Sequence, residues 1–170
     1  MVSRDFDLIG AEPTQTVDEV LPELLHKYIA VYGPATLADA AWFLGFWKDE
    51  AKKLRSLPLD NFSCFELHGN RYYYIGDDDT ADIPELTLLS GFDPLLVSYT
   101  NRSAVLPAEY KSKVILKSGI CNPTIAVNGR VAGVWNIKKG EPVIEFFAAQ
   151  PKRIKTAAAE MADFIRWRAR

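Results

Sequence analysis

Apolar residues in the N-terminal third of the chain recur at helical spacing and predict three helices. Thr16 and Glu19 form a capping-box pattern at the start of the first helix, and Gly33-Pro34 ends it. The second helix covers residues 37–44 and the third covers 48–57. A long helix followed by two short ones joined by a tight turn has the outline of a helix-turn-helix. The core stripe of the first helix is predicted to be Val17, Leu21, Leu24, Tyr28 and Val31.

Two runs of strand-forming residues flank turn signals and predict two hairpins. The first hairpin covers residues 62–75, with its turn at 68–70 and an aromatic second strand. The second is TIAVNGRVAGVW at 124–135, where Asn128-Gly129 tolerates the positive φ angles of a type I′ turn. Three helices followed by a hairpin have the order of a winged helix.

The remaining C-terminal segments predict a mixture of short elements. We expect an extended segment at 93–99, a short helix at 107–117, a strand at 142–148 and a helix at 152–168. Asp93 stands alone before Pro94, so a turn or capping role is favoured over general-base catalysis. The last helix should pack on a sheet through Ile154, Ala157, Ala158, Met161 and Ile165.

Charge is divided unequally along the chain. Residues 1–101 carry a net charge of −10 and residues 102–170 carry +8, within a whole-chain charge of −2. Such asymmetry marks either a half that faces nucleic acid or a solvated surface, and charge alone leaves both open. The acidic run at 77–82 predicts a linker rather than a calcium loop, because the turn glycine and later bidentate acid are missing.

The composition and motifs restrict the classes of function. No apolar run approaches the roughly 18 residues that span a membrane, and no leader pattern begins the chain, so we expect a cytoplasmic protein. Cys64 and Cys121 lack metal-ligand spacing and are predicted to be buried free thiols. His26 and His68 have no recognisable nucleophile partner. Nothing in these features argues for an enzyme, and we predict neither cofactor nor metal.

The third helix combines an apolar stripe with a cationic face. Lys48, Lys52 and Arg55 fall at positions i, i+4 and i+7, so they share one side of the helix. A cationic face on the second helix of a helix-turn-helix is where DNA contacts occur. A solvated surface is the alternative, because Asp49 and Glu50 lie between these cations. The opposite stripe is predicted to be Trp47, Ala51, Leu54 and Leu57.

Several motifs in a fixed order resemble one known family. They are GPATLADAAWFLG at 33–45, GFDPLL at 91–96, NRS at 101–103 and PTIAVNGRVAGVW at 123–135. This set resembles the winged-helix DNA-binding family that includes the AlkZ/YcaQ-type DNA glycosylases, and it covers the chain from about residue 17 onward. Members of that family are longer, string winged helices together and present a basic surface to DNA.

The resemblance implies an α+β architecture in four segments. A tail at 1–13 precedes a winged helix-turn-helix at 14–76, and an acidic linker at 77–85 leads to a small β-rich, barrel-like module with a C-terminal helix at 86–170. In the glycosylase branch, a Gln-x-Gln pair positions the water that cleaves the glycosidic bond. This chain has only Gln15 and Gln150, which form no such pair. The activity is therefore not carried over to this chain.

Three hypotheses follow from these observations. The leading one is a DNA-binding module that contacts duplex DNA mainly through phosphates and acts in the repair of alkylated DNA. Its contacts would be the cations of the third helix, Arg71 beside the first turn, and Arg102 and Arg130 in the second module. The second hypothesis is a non-catalytic C-terminal half of a glycosylase, with the Gln-x-Gln site in an upstream winged helix. The third is a winged helix that binds a protein partner.

Overall fold

The computed structural model describes residues 15–76 and 82–168, which belong to two compact units divided at residues 76 and 77. Together they form a mixed α/β structure with six helices of the α type and two antiparallel sheets in these ranges. No helix in the described ranges is long and apolar enough to cross a membrane.

The first unit consists of three helices followed by a two-stranded sheet. The elements are α1 Val17–Tyr32, α2 Leu37–Phe43, α3 Lys48–Arg55, β1 Ser63–Leu67 and β2 Asn70–Tyr74. β1 and β2 pair antiparallel, and Ala35, just before α2, forms a two-way backbone bridge with Tyr73 of β2. This bridge ties the start of α2 to the hairpin. The predicted helices and hairpin are therefore confirmed, with boundaries shifted by one or two residues.

Two capping boxes start the first two helices. Thr16 and Glu19 satisfy each other's free N–H groups at α1, and Thr36 and Asp39 do the same at α2. The Thr16 hydroxyl accepts from the Glu19 N–H at 3.4 Å, and the Thr36 hydroxyl accepts from the Asp39 N–H at 3.1 Å. The first box lies in solvent, whereas Asp39 of the second is buried.

The predicted core stripes of α1 and α3 need correction. The predicted core positions Leu21 and Tyr28 are buried, but Val17 and Val31 are 50% and 71% exposed. Leu25 and Ile29 complete the buried face of α1. Trp47, predicted to line the core, is 78% exposed. It occupies the N-cap of α3 with extended backbone, so its side chain does not share the helical face of the buried Leu54.

The second unit is built around a four-stranded antiparallel sheet in the order β3-β4-β5-β6. Its strands are β3 Leu86–Leu89, β4 Thr124–Val127, β5 Arg130–Lys138 and β6 Glu141–Phe146. The connection from β3 to β4 carries α4 Pro94–Val97, a 3₁₀ turn Ala108–Tyr110 and α5 Lys111–Val114, and the last helix is α6 Lys152–Arg168.

Both faces of this sheet are covered. One face packs on α6 through a core whose buried members are Leu86, Ile125, Ile154 and Ala158. The other face is covered by the β3–β4 connection, with Leu96, Leu106, Val114, Cys121 and Val131 at its centre. In the described residues the sheet ends at β3 and β6, so the barrel-like prediction is wrong. With both faces buried by helices and loops, the strands need no closure to shield their apolar surfaces.

Two elements of the second unit differ from the predictions. The segment expected to be extended contains α4, because Asp93 caps it by accepting the Leu95 N–H at 3.0 Å and Pro94 fixes its first φ angle. The capping role predicted for Asp93 is confirmed. The expected helix at 107–117 is shorter, because Ile115 turns extended and bridges to Cys121. The C-terminal helix and its apolar stripe are confirmed.

Other predictions concern residues at the edges of the described ranges. The tail at 1–13 and most of the acidic run at 77–82 lie outside those ranges, so the four-segment division stays a prediction. The prediction that both thiols are buried holds for Cys121 but is wrong for Cys64. Cys64 lies on β1, a strand whose residues are all exposed.

Candidate nucleic-acid interface

The cations of α3 form an exposed row in the first unit. Lys48, Lys52 and Arg55 are exposed, and no ion pair joins any of them to the described part of the chain. Leu54, which is 0% exposed, anchors the opposite side of the helix in the core. The row therefore presents three positive charges from one rigid element.

Lys53, the remaining cation of α3, is engaged differently. Its ammonium lies 2.6 Å from the Asp18 carboxylate of α1. This hydrogen bond, together with the charge of Asp18, raises the pKa of Lys53 above its usual value. The pair links α1 to α3, whereas the neighbouring Lys52 has no such partner. Lys53 therefore helps to hold α1 and α3 together and is not part of the exposed row.

A shallow groove of about 480 Å³ runs between α1 and α3. Its wall carries both signs of charge, with Asp18 and Asp49 facing Lys52 and Lys53. Leu21 and Leu57 supply its apolar part. Because both signs of charge line the groove, it should not attract a polyanion such as DNA. The groove therefore contributes little to DNA binding beyond the exposed row.

Arg71 lies one residue beyond the start of β2 and is paired within its own hairpin. Its guanidinium donates to the Glu66 carboxylate at 2.8 Å, and the two residues face each other in the strand register. This hydrogen bond raises the pKa of Arg71. The carboxylate offsets the charge beside the turn, so Arg71 must exchange Glu66 for a phosphate if it is to bind DNA.

Arg102 and Arg130 belong to neighbouring parts of the second unit. Arg102 is half-buried, and its Nε donates to the Leu96 carbonyl. The Arg102 carbonyl accepts from the Leu106 N–H at 2.7 Å, and the Val105 carbonyl of the same turn accepts from the Val131 N–H at 2.8 Å. The turn that carries Arg102 thus lies against the start of β5, where Arg130 is exposed.

The turn at Arg102 also borders a small polar cavity that sequence reasoning did not identify. It has a volume of about 210 Å³, and Ser103 and Lys111 line it together with Arg102. Nothing in the sequence spacing of Arg102 and Lys111 indicates that they line one cavity. Their proximity results from the path of the β3–β4 connection.

Cations of the C-terminal helix are in part neutralised. Arg153 pairs with Glu85 at 2.6 Å, and Arg166 pairs with Glu141 at 2.5 Å and with Asp163. The bonds to Glu141 and then Asp163 raise the pKa of Arg166. These pairs commit Arg153 and Arg166 to contacts within the second unit.

Comparison with known proteins identifies the family. The model of a family described as AlkZ-like DNA glycosylases matches residues 3–166. An interstrand DNA cross-link repair glycosylase from Streptomyces sahachiroi is 29% identical over 152 residues, which cover 84% of this chain and 41% of that protein. The solved structure of Streptomyces sahachiroi DNA glycosylase AlkZ superimposes with a TM-score of 0.76 at 26% identity, covering 93% of this chain and 45% of that one. The chain thus spans less than half the length of these relatives. Because the family model matches nearly its whole length, the chain belongs to the AlkZ-like DNA glycosylase family.

Proposed function

We propose that this chain is a non-catalytic DNA-binding module that contacts duplex DNA mainly through phosphates and serves DNA repair. The observation that carries the proposal is the exposed row of Lys48, Lys52 and Arg55, which has no ion-pair partner in the described residues. Unpaired cations on a rigid helix release condensed counterions when they meet phosphates, which is the main source of non-specific DNA affinity. Membership of a DNA glycosylase family supports this reading.

In this proposal, residues 14–76 form a winged helix. The order of α1 to α3 and the β1–β2 hairpin supports it, as does the bridge between Ala35 and Tyr73, which joins the helices to the wing. α3 is then the recognition helix and lies in a groove of the duplex. Arg71 contacts the backbone beside the wing, where a phosphate competes with Glu66 for the guanidinium.

Arg102 and Arg130 are the proposed phosphate contacts of the second unit. Arg130 is exposed at the first position of β5, and the turn of Arg102 is hydrogen-bonded to the next residue of that strand. Phosphate contacts of this kind fix a protein on the duplex but carry little sequence information. We therefore expect similar affinity for unrelated sequences.

The proposal leaves out cleavage of a glycosidic bond by this chain. Gln15 lies just before α1, and Gln150 follows β6 with its side-chain amide donating to the Ala148 carbonyl. The two glutamines are 135 positions apart in the sequence and form no Gln-x-Gln pair. For this chain we therefore propose DNA binding and not cleavage of the glycosidic bond.

The test is fluorescence anisotropy of labelled duplexes of two unrelated sequences, measured across a salt series. We expect the logarithm of affinity to fall linearly with the logarithm of salt concentration. The double variant Lys52→Ala/Arg55→Ala should bind both duplexes at least about tenfold more weakly and lower the salt slope by about 2, because each lost phosphate contact removes about 1.

Lys27→Ala is the matched control, because Lys27 is an exposed helical cation that already pairs with Glu23 at 2.7 Å. Its affinity and salt slope should equal those of the unmodified chain. Absence of binding at low salt would overturn the proposal, and so would a loss confined to one of the two sequences. Repeating the titration with an alkylated duplex measures any preference for damage.

A further inference from the structure

The polar cavity of the second unit lies between the turn after α4 and the start of α5. It holds about 210 Å³ and is lined by residues separated in the chain by as many as 11 positions. Leu106 and Ala108 form its apolar part. Its polar lining consists of Thr100, Asn101, Arg102, Ser103 and Lys111.

This lining has the chemistry of an anion site. Arg102 and Lys111 contribute two positive charges, Thr100 and Ser103 contribute hydroxyl groups, and no described Asp or Glu lines the cavity. Guanidinium, ammonium and hydroxyl donors together suit a tetrahedral oxyanion, since each oxygen accepts charge-assisted hydrogen bonds. A cationic ligand would find no carboxylate among the described lining residues.

The turn that forms one wall is held in place before any ligand arrives. The Ser103 N–H donates to the Asn101 side chain at 3.0 Å, and the Leu106 N–H donates to the Arg102 carbonyl at 2.7 Å. Leu106 is buried in the core, and the Arg102 Nε is bonded to the Leu96 carbonyl. A wall fixed in this way reduces the ordering cost of binding.

Lys111 is the second charged residue of the lining. It begins α5, which is anchored by the fully buried Val114. Lys113, two residues later, lies 4.9 Å over the Phe147 ring, whereas Lys111 is exposed and borders the cavity. Of these two lysines, only Lys111 lines the cavity.

We infer that this cavity is a phosphate-binding pocket, with Lys111 and Arg102 as its charged walls. On the proposed function, its occupant is one phosphate of the DNA backbone, held beside the contact made by Arg130. Free phosphate presents the same oxygen atoms as a backbone phosphate. Phosphate binding by the pocket can therefore be tested separately from DNA binding. The two sources are separated by the experiment below.

The first measurement is a titration of the ¹⁵N-labelled chain with sodium phosphate, followed by amide NMR at constant ionic strength against sodium chloride. Phosphate should shift the amide signals of Asn101, Ser103 and Lys111 saturably, and chloride should leave them unchanged. Lys111→Ala should abolish the saturable shifts. Lys117→Ala, which removes an exposed lysine outside the cavity, should retain them.

The second measurement is the anisotropy salt series with duplex DNA. Lys111→Ala should bind about tenfold more weakly, with a salt slope lower by about 1, and Lys117→Ala should match the unmodified chain. Saturable shifts of the amide signals with phosphate, but no binding of DNA, would support the pocket and contradict the proposed function. DNA binding unaffected by Lys111→Ala, together with no saturable phosphate shift, would overturn the pocket and leave the function standing.

Discussion

The two hairpins of this chain have the same turn but different surroundings. In β1–β2, His68 and Gly69 have φ angles of 50° and 75°, and in β4–β5, Asn128 and Gly129 have 48° and 75°. Both loops contain two residues. Yet every residue of β1 is exposed, whereas β4 has three buried residues out of four. Turn chemistry therefore specifies a hairpin, and the layers packed around it decide how much that hairpin contributes to stability.

The positively charged residues of the two units are also brought together in two different ways. The row on α3 arises from residues at i, i+4 and i+7 of one helix, so local periodicity alone brings them together. Arg102 and Lys111 meet across a cavity because a folded connection turns back on itself. Helical periodicity in the sequence is enough to predict the row on α3. It cannot predict that Arg102 and Lys111 line one cavity.

The largest expected difference between the two hairpin regions concerns their thiols. Cys64 on β1 is exposed, and Cys121 beside β4 is 3% exposed with its pKa raised by burial. Because the thiolate is the reactive form and opening is required to reach a buried one, maleimide should label Cys64 roughly a thousandfold faster. The measurement is mass spectrometry of each single-cysteine variant, Cys64→Ser and Cys121→Ser. Equal rates would show that the cover over β4 opens freely.

Side-chain truncation should give the next largest difference. Ile125→Ala on β4 removes a fully buried side chain and should lower the free energy of unfolding by about 2–5 kcal/mol. Phe65→Ala on β1 removes a ring that is 41% exposed and stacks 5.5 Å from Tyr72, so its cost should be about 1 kcal/mol. Urea unfolding with amide hydrogen exchange in each hairpin provides both values. A larger cost at Phe65 would reverse the comparison.

Substitution of the turn glycines should give the smallest difference. Gly69→Ala and Gly129→Ala each force a β-carbon onto a residue with φ of +75°, at a cost of about 1–2 kcal/mol. The added carbon meets open space at Gly69, but at Gly129 it lies 3.3 Å from the Ile83 side chain. The second variant should therefore be slightly less stable, as measured by the same unfolding experiment. Equal losses would mean that Ile83 moves aside without cost.

Much of the secondary structure could be predicted because its causes are local. Capping threonines, Gly33-Pro34 and the Asn128-Gly129 turn act through neighbouring backbone groups, so α1, α2 and the second hairpin are confirmed close to their expected bounds. The prediction of an extended segment at 93–99 was wrong, because its apolar run fits a strand although Asp93 and Pro94 start a helix.

For the candidate site, the sequence by itself determined the cationic row of α3, because a helix places residues by a fixed rotation per residue. Only the tertiary structure decided which cations are already paired: Lys53 with Asp18 across 35 positions, and Arg166 with Glu141 across 25. It also decided that Trp47 is exposed, that the sheet stays open, and that Lys111 joins Arg102 around one cavity. These outcomes depend on contacts between distant segments, which the packing of the whole unit selects and no local pattern records.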